Sequence, residues 1–100
     1  MQGMNTEDFV DMLVDTDGCV RHRSFVYRFS GLRYHSGRGM YRVSVEKYRW
    51  TKEPYADFLG LVYTYESDDP DDCMDHLLED PLWDGRSFYE LEKALSYVDW

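Results

Sequence analysis

No apolar run in this sequence exceeds four residues, which is too short for a membrane-spanning helix. Cysteine is scarce, with Cys19 and Cys73 alone, and the first residues join no basic stretch to an apolar one. A cytoplasmic setting with two free thiols is therefore expected. Gly-rich phosphate loops, a nucleophile elbow and a Ser/His/Asp spacing are all missing, so the expectation is a protein that is not an enzyme and needs no cofactor. Cations are missing from residues 1–20 and reduced to Arg86 and Lys93 after position 52. With 11 Lys and Arg against 20 Asp and Glu the net charge is −9. Such a body repels nucleic acid and anionic membrane, and its natural partner is a basic protein.

What is present suits one packed domain spanning residues 1–100, with 43% apolar residues and 17% aromatic ones. Charge is segmented: residues 1–20 carry −5, residues 21–52 carry +8, and residues 53–100 carry −12. The sign changes coincide with changes in periodicity. Asn5, with Met4 and Phe9 across it, opens a helix near 5–16 that Asp17-Gly18 closes. Period-two alternation predicts strands near 21–30, 40–50 and 58–66, joined by short breakers as an antiparallel meander. Asp69-Pro70 caps a helix over 70–79, and the capping box Ser87-Phe88-Tyr89-Glu90 opens another near 87–98. The expected class is α+β: a helix, a three-stranded antiparallel meander, and two C-terminal helices packed on the sheet. The expected core is Phe9, Leu13, Phe25, Tyr27, Val43, Val45, Leu61, Tyr63, Leu77, Leu91 and Leu95. Met1-Gln2-Gly3 receives no role.

Three constellations invite chemistry. Cys19-x-x-His22 and Cys73-x-x-His76 have the ligand types of a tetrahedral zinc site, but Cys73 sits on an apolar stripe where a thiol behaves as a small hydrophobe, so no metal is assigned. The acidic run from Asp68 to Asp72 lacks the glycine and alternating oxygens of a calcium loop. Arg28, Arg33, Arg38, Arg42 and Arg49 lie among Tyr27, Tyr34, Tyr41, Tyr48 and Trp50, the mixture that a nucleic-acid platform uses, although these bases also serve to compensate the chain's own acids.

The strongest pattern is acidic. At about 100° per residue, Glu7, Asp8, Asp11 and Asp15 fall in one quadrant opposite the apolar side of their helix. Asp71, Asp72, Asp75 and Glu79 occupy the same quadrant of theirs, and Glu66, Asp68 and Asp69 extend the patch backward. Carboxylates at i, i+3 and i+4 stand about 5–6 Å apart and imitate a row of phosphates. A helix, a three-stranded meander and two helices in a short acidic chain resembles the type II anti-CRISPR proteins. Trp83-Asp84-Gly85-Arg86-Ser87-Phe88-Tyr89-Glu90 also looks like the ending of small proteins of Gram-positive bacteria and their phages. The first resemblance implies a DNA mimic that blocks the PAM-reading cleft of an RNA-guided nuclease. The expected function is thus a non-enzymatic inhibitor that occupies a nucleic-acid site on a partner. The alternatives are a toxin-neutralising or immunity module and nucleic-acid binding through the basic aromatic sheet.

Overall fold

The computed structural model describes all residues, Met1–Trp100. Its elements are α1 (Thr6–Leu13), β1 (Gly18–His22), β2 (Phe25–His35), β3 (Met40–Arg49), β4 (Phe58–Ser67), α2 (Pro70–Glu79), α3 (Phe88–Leu91) and β5 (Ser96–Val98), with a 3₁₀ turn over Glu92–Ala94 between the last two. One antiparallel sheet of five strands runs β4-β3-β2-β1-β5. The class is α+β, but the sheet has two strands more than the expected meander and the second C-terminal helix is a single turn.

Each difference has a local cause. The expected strand over 21–30 is two strands, because Arg23 takes a left-handed backbone (φ 59°) and the chain reverses at Arg23-Ser24, setting Val20 opposite Tyr27 and His22 opposite Phe25. Arg-Ser carries none of the Gly, Asn or Asp signals of a tight hairpin. The expected helix over 87–98 begins at its capping box, with Ser87 and Glu90 bonded to each other's backbone N–H, and then stops. Beyond it Ser96-Tyr97-Val98 pairs with β1, whose edge would otherwise be bare. Gln2 closes the far side of β5: its N–H donates to the Leu95 carbonyl at 3.1 Å and its carbonyl accepts from the Tyr97 N–H at 2.7 Å. The N-terminal residues therefore have a structural role. The α2 boundaries agree with the sequence, and Asp69 accepts from the Asp71 N–H at 3.0 Å.

All three helices cover one face of the sheet. Phe9 and Leu13 of α1, and Cys73, Leu77 and Leu78 of α2, pack with Phe88, Leu91 and Leu95 onto Val20, Tyr27, Phe29, Val43 and Val45. Phe9, Phe29 and Phe88 form an aromatic triad with centroids 5.8–5.9 Å apart. Phe25 and Tyr63 pack partly buried at its margin. Leu61 departs from the expected core and is 59% exposed. Val45 faces Tyr63 but Glu46 faces Leu61, so Val62 is an inserted bulge residue that turns Leu61 to the opposite face. That second face carries Cys19, Val26 and Tyr48, covered by no helix but by Val98 and Trp100, with Tyr55 and Phe58 against Tyr48.

Replacing Leu95, which is wholly buried, with Ala should cost about 2–5 kcal/mol in denaturant unfolding. Leu61→Ala should stay within about 0.5 kcal/mol of the parent.

Candidate partner-binding surface

The two long helices are built on one template. Glu7, Asp8, Asp11 and Asp15 recur 64 positions later as Asp71, Asp72, Asp75 and Glu79; the buried pair Phe9 and Leu13 recurs as Cys73 and Leu77, and the cap Asn5 as Asp69. With α1 seated on β1 and β2, and α2 on β3 and β4, the same sheet face is covered twice. The acidic quadrants then lie on the outside of the helix layer. Glu7, Asp8, Asp11, Asp15, Asp68, Asp69, Asp71, Asp75 and Glu79 are all exposed, and no Lys, Arg or His lies within ion-pair distance of any of them.

Asp72 differs from the others. It accepts from the Tyr65 hydroxyl at 2.8 Å, which with the Ser67 hydroxyl and the His76 ring holds its carboxyl below the usual range. His76 stacks on Tyr65 with centroids 4.0 Å apart and contacts Asp80 at 3.0 Å. The Asp80 contact keeps the imidazole above its ordinary value, with Asp72 and Glu79 adding to it. Asp72 thus belongs to a network that fastens α2 to β4, and its neighbours form the free surface.

The basic strands are occupied from within. Arg28 lies 2.5 Å from Asp17 and 3.2 Å from Glu46, and Arg33 reaches the other Asp17 oxygen at 2.7 Å. Arg38 and Arg42 share Glu66 at 2.8 and 2.5 Å, and Arg49 meets Asp57 at 3.0 Å. Five arginines proposed for a nucleic-acid platform are therefore held by four carboxylates. The rings are also engaged: Tyr34 packs on Tyr41, and Tyr48 contacts Tyr55, Phe58 and Trp100. The pairing carboxylates Asp17, Glu46 and Asp57 were missed by sequence reading, and Glu66, expected in the acidic patch, is instead taken up by Arg38 and Arg42. Arg28 and Glu46 are cross-strand partners and become visible once register is known; Asp17 has no such signal.

The two Cys-x-x-His pairs do not converge. Cys19 packs on one sheet face, its thiol 3.4 Å from the Tyr55 hydroxyl, while Cys73 is buried under α2 on the other. No group of three or more His, Cys, Asp or Glu side chains has metal-site geometry.

Partial burial alone would raise the Asp17 pKa, but the Gly31 N–H at 2.9 Å and the Arg28 and Arg33 guanidinium groups outweigh it and hold the carboxyl below its ordinary value. A depressed folded pKa contributes stability above the unfolded value, lost as pH falls through the folded one. Asp17→Asn should cost about 1 kcal/mol at neutral pH, discounted because both arginines are more than a third exposed. It should also flatten the acid limb of stability against pH, measured by urea unfolding between about pH 2 and 7.

Comparison of the chain with protein-family models, with curated proteins and with solved structures gave no match.

Proposed function

We propose that the protein is an acidic, non-enzymatic inhibitor whose helix layer imitates nucleic-acid phosphates and occupies a basic nucleic-acid-binding groove on another protein. One observation carries this reading: the strand arginines are neutralised internally, whereas two helices present acids that no cation of the chain answers. A helix made acidic only for solubility gains i,i+4 stability by mixing signs, and neither of these does so. Unanswered carboxylates spaced along two parallel-built surfaces meet the Lys and Arg contacts that a phosphate backbone would otherwise receive. Association would be fast and sensitive to salt.

The same internal pairing disfavours the sheet as a nucleic-acid platform, since each guanidinium would have to leave a carboxylate before taking a phosphate. The element order behind the anti-CRISPR resemblance is altered by β1 and β5, so charge placement bears the weight. A guide-loaded RNA-guided nuclease remains the first partner to test, and a basic toxin nuclease is the second.

In an anisotropy competition, the chain should displace a labelled target duplex from the nuclease, with an apparent affinity that falls as salt rises. Asp71→Lys, Asp75→Lys and Glu79→Lys together should weaken displacement at least about tenfold without lowering the melting temperature appreciably. Tight binding of the chain itself to DNA or RNA at about 0.15 M salt, lost on replacing Arg28, Arg42 and Arg49, would overturn the reading.

A further inference from the structure

Six of the eleven Lys and Arg residues have no carboxylate partner, and three of these six gather at one place. Arg23 from the β1–β2 turn, Lys47 from β3 and Arg86 from the turn before α3 border two adjoining clefts of about 180 and 220 Å³ that share His22, Arg23, Trp83 and Asp84 as walls. In a chain of net charge −9 this is a local concentration of positive charge. Asp84 is the one carboxylate there, and it lies beyond ion-pair distance of all three cations. His22 is pushed below its ordinary pKa by burial and by Arg23, against a smaller opposing pull from Asp84, so near neutrality its ring adds no positive charge to the cluster.

Two further features set the cleft apart. Trp83 is 95% buried and forms a wall of both clefts, its ring set against Tyr27 with centroids 5.2 Å apart. The backbone at the rim is also strained. Arg23 (φ 59°) and Asp84 (φ 49°) hold left-handed conformations that non-glycine residues adopt at a cost, and such residues concentrate at binding sites. The floor is apolar, supplied by Phe25, Tyr27 and Leu82.

We propose that this cleft binds a small organic anion, with a carboxylate or phosphoryl group held by Arg23, Lys47 and Arg86 beside the Trp83 ring, and one flat ring lying against the apolar lining. A void of about 150 Å³ accepts a benzene ring, and the cleft floored by Phe25, Tyr27 and Leu82 offers about 180 Å³, with the cleft beside Arg86 adjoining it. An extended polyanion is repelled by a body of net charge −9, whereas a small anion needs only the local positive charge of the cleft. The inference does not depend on the inhibitor reading, because it uses none of the acidic helix residues.

The test is an NMR titration of the ¹⁵N-labelled chain, following the three indole N–H signals, with Trp83 identified by its proximity to Tyr27. Phenyl phosphate and benzoate should move the Trp83 signal saturably and leave Trp50 and Trp100 in place, while phenol, which has the ring without the charge, should not. Arg23→Asn with Arg86→Gln should weaken binding at least about tenfold; Asn keeps the left-handed turn accessible, and the Trp50 and Trp100 signals report that the fold is intact. A 5′-phosphorylated oligonucleotide separates the sources of the anion: if it binds as tightly as phenyl phosphate, the terminal phosphate of a nucleic acid is the ligand rather than a free small molecule. The proposal fails if the Trp83 signal stays still up to about 10 mM phenyl phosphate, if phenol moves it equally, or if the double variant binds unchanged.

Discussion

The carboxylate of Asp17 is where the acidic and basic parts of this chain meet. It stands at the end of the α1 turn and holds Arg28, Arg33 and the Gly31 N–H together. Those three donors lie on either side of the irregularity where β2 shifts register between Ser30 and Arg33. Gly31 is needed at that point because a Cβ there would stand 2.5 Å from the Thr16 carbonyl oxygen. One anion therefore fixes the approach of α1 to the sheet, the kink in the longest strand and the neutralisation of two arginines. With this junction in place, Phe9 and Leu13 face Val20 and Phe29, and the remaining acids of α1 are turned outward.

This arrangement decides what a segmented charge can become. Nine cations in residues 21–52 on an open sheet would repel one another across neighbouring strands, so the fold brings Asp17, Glu46, Asp57 and Glu66 to them. Glu46 and Glu66 lie in strands, and Asp17 and Asp57 directly precede β1 and β4, Asp17 standing in the connection from α1. The helix acids are left unmatched, because five arginines are engaged by other carboxylates and none of the six remaining cations lies within ion-pair distance of them. Their mutual repulsion is weakened by water and salt on an exposed face, so the burial of Phe9, Leu13, Cys73 and Leu77 beneath them prevails.

What could be read in advance was whatever one segment decides alone. The Asp69-Pro70 start, the α2 acidic quadrant and the Ser87 capping box depend on nearby residues and are present, whereas α1, expected to run to about 16, ends at Leu13 and leaves Asp15 in the turn beyond it. The misses are choices between segments. Ser96-Tyr97-Val98 continues the helical spacing of Leu91 and Leu95 but becomes a strand because β1 offers a free edge and Gln2 covers the other side. Arg23-Ser24 reverses the chain without the usual turn residues, held there by the pairing of β1 on β2. Leu61 alternates correctly with Tyr63 in sequence and is still turned outward by the bulge at Val62, which only the β3 register reveals. The arginines were legible as a basic stretch, but whether they faced solvent or carboxylates was a question of tertiary pairing.

The sheet's second face extends the same logic to the aromatic residues. It has no helix over it, and Trp50 and Trp100 stack at 5.7 Å while Tyr55 packs against both Tyr48 and Trp100. Arg21 lies over the Trp50 ring at 4.4 Å and Lys47 over Phe25 at 4.1 Å, so two of the six cations without carboxylates are engaged with π faces. Rings that cover one another and cations that cover rings leave little of the stacking surface that sheet-bound bases require. Charge of opposite sign is thereby sorted to different places: acids on the outer helix layer, paired arginines within the strands, and a small residue of uncompensated cations at the Trp83 cleft. Each location follows from which segment a residue belongs to and from what that segment buries. The helix layer can meet a basic surface without the strand arginines folding back to screen it, because their partners were fixed when the sheet formed.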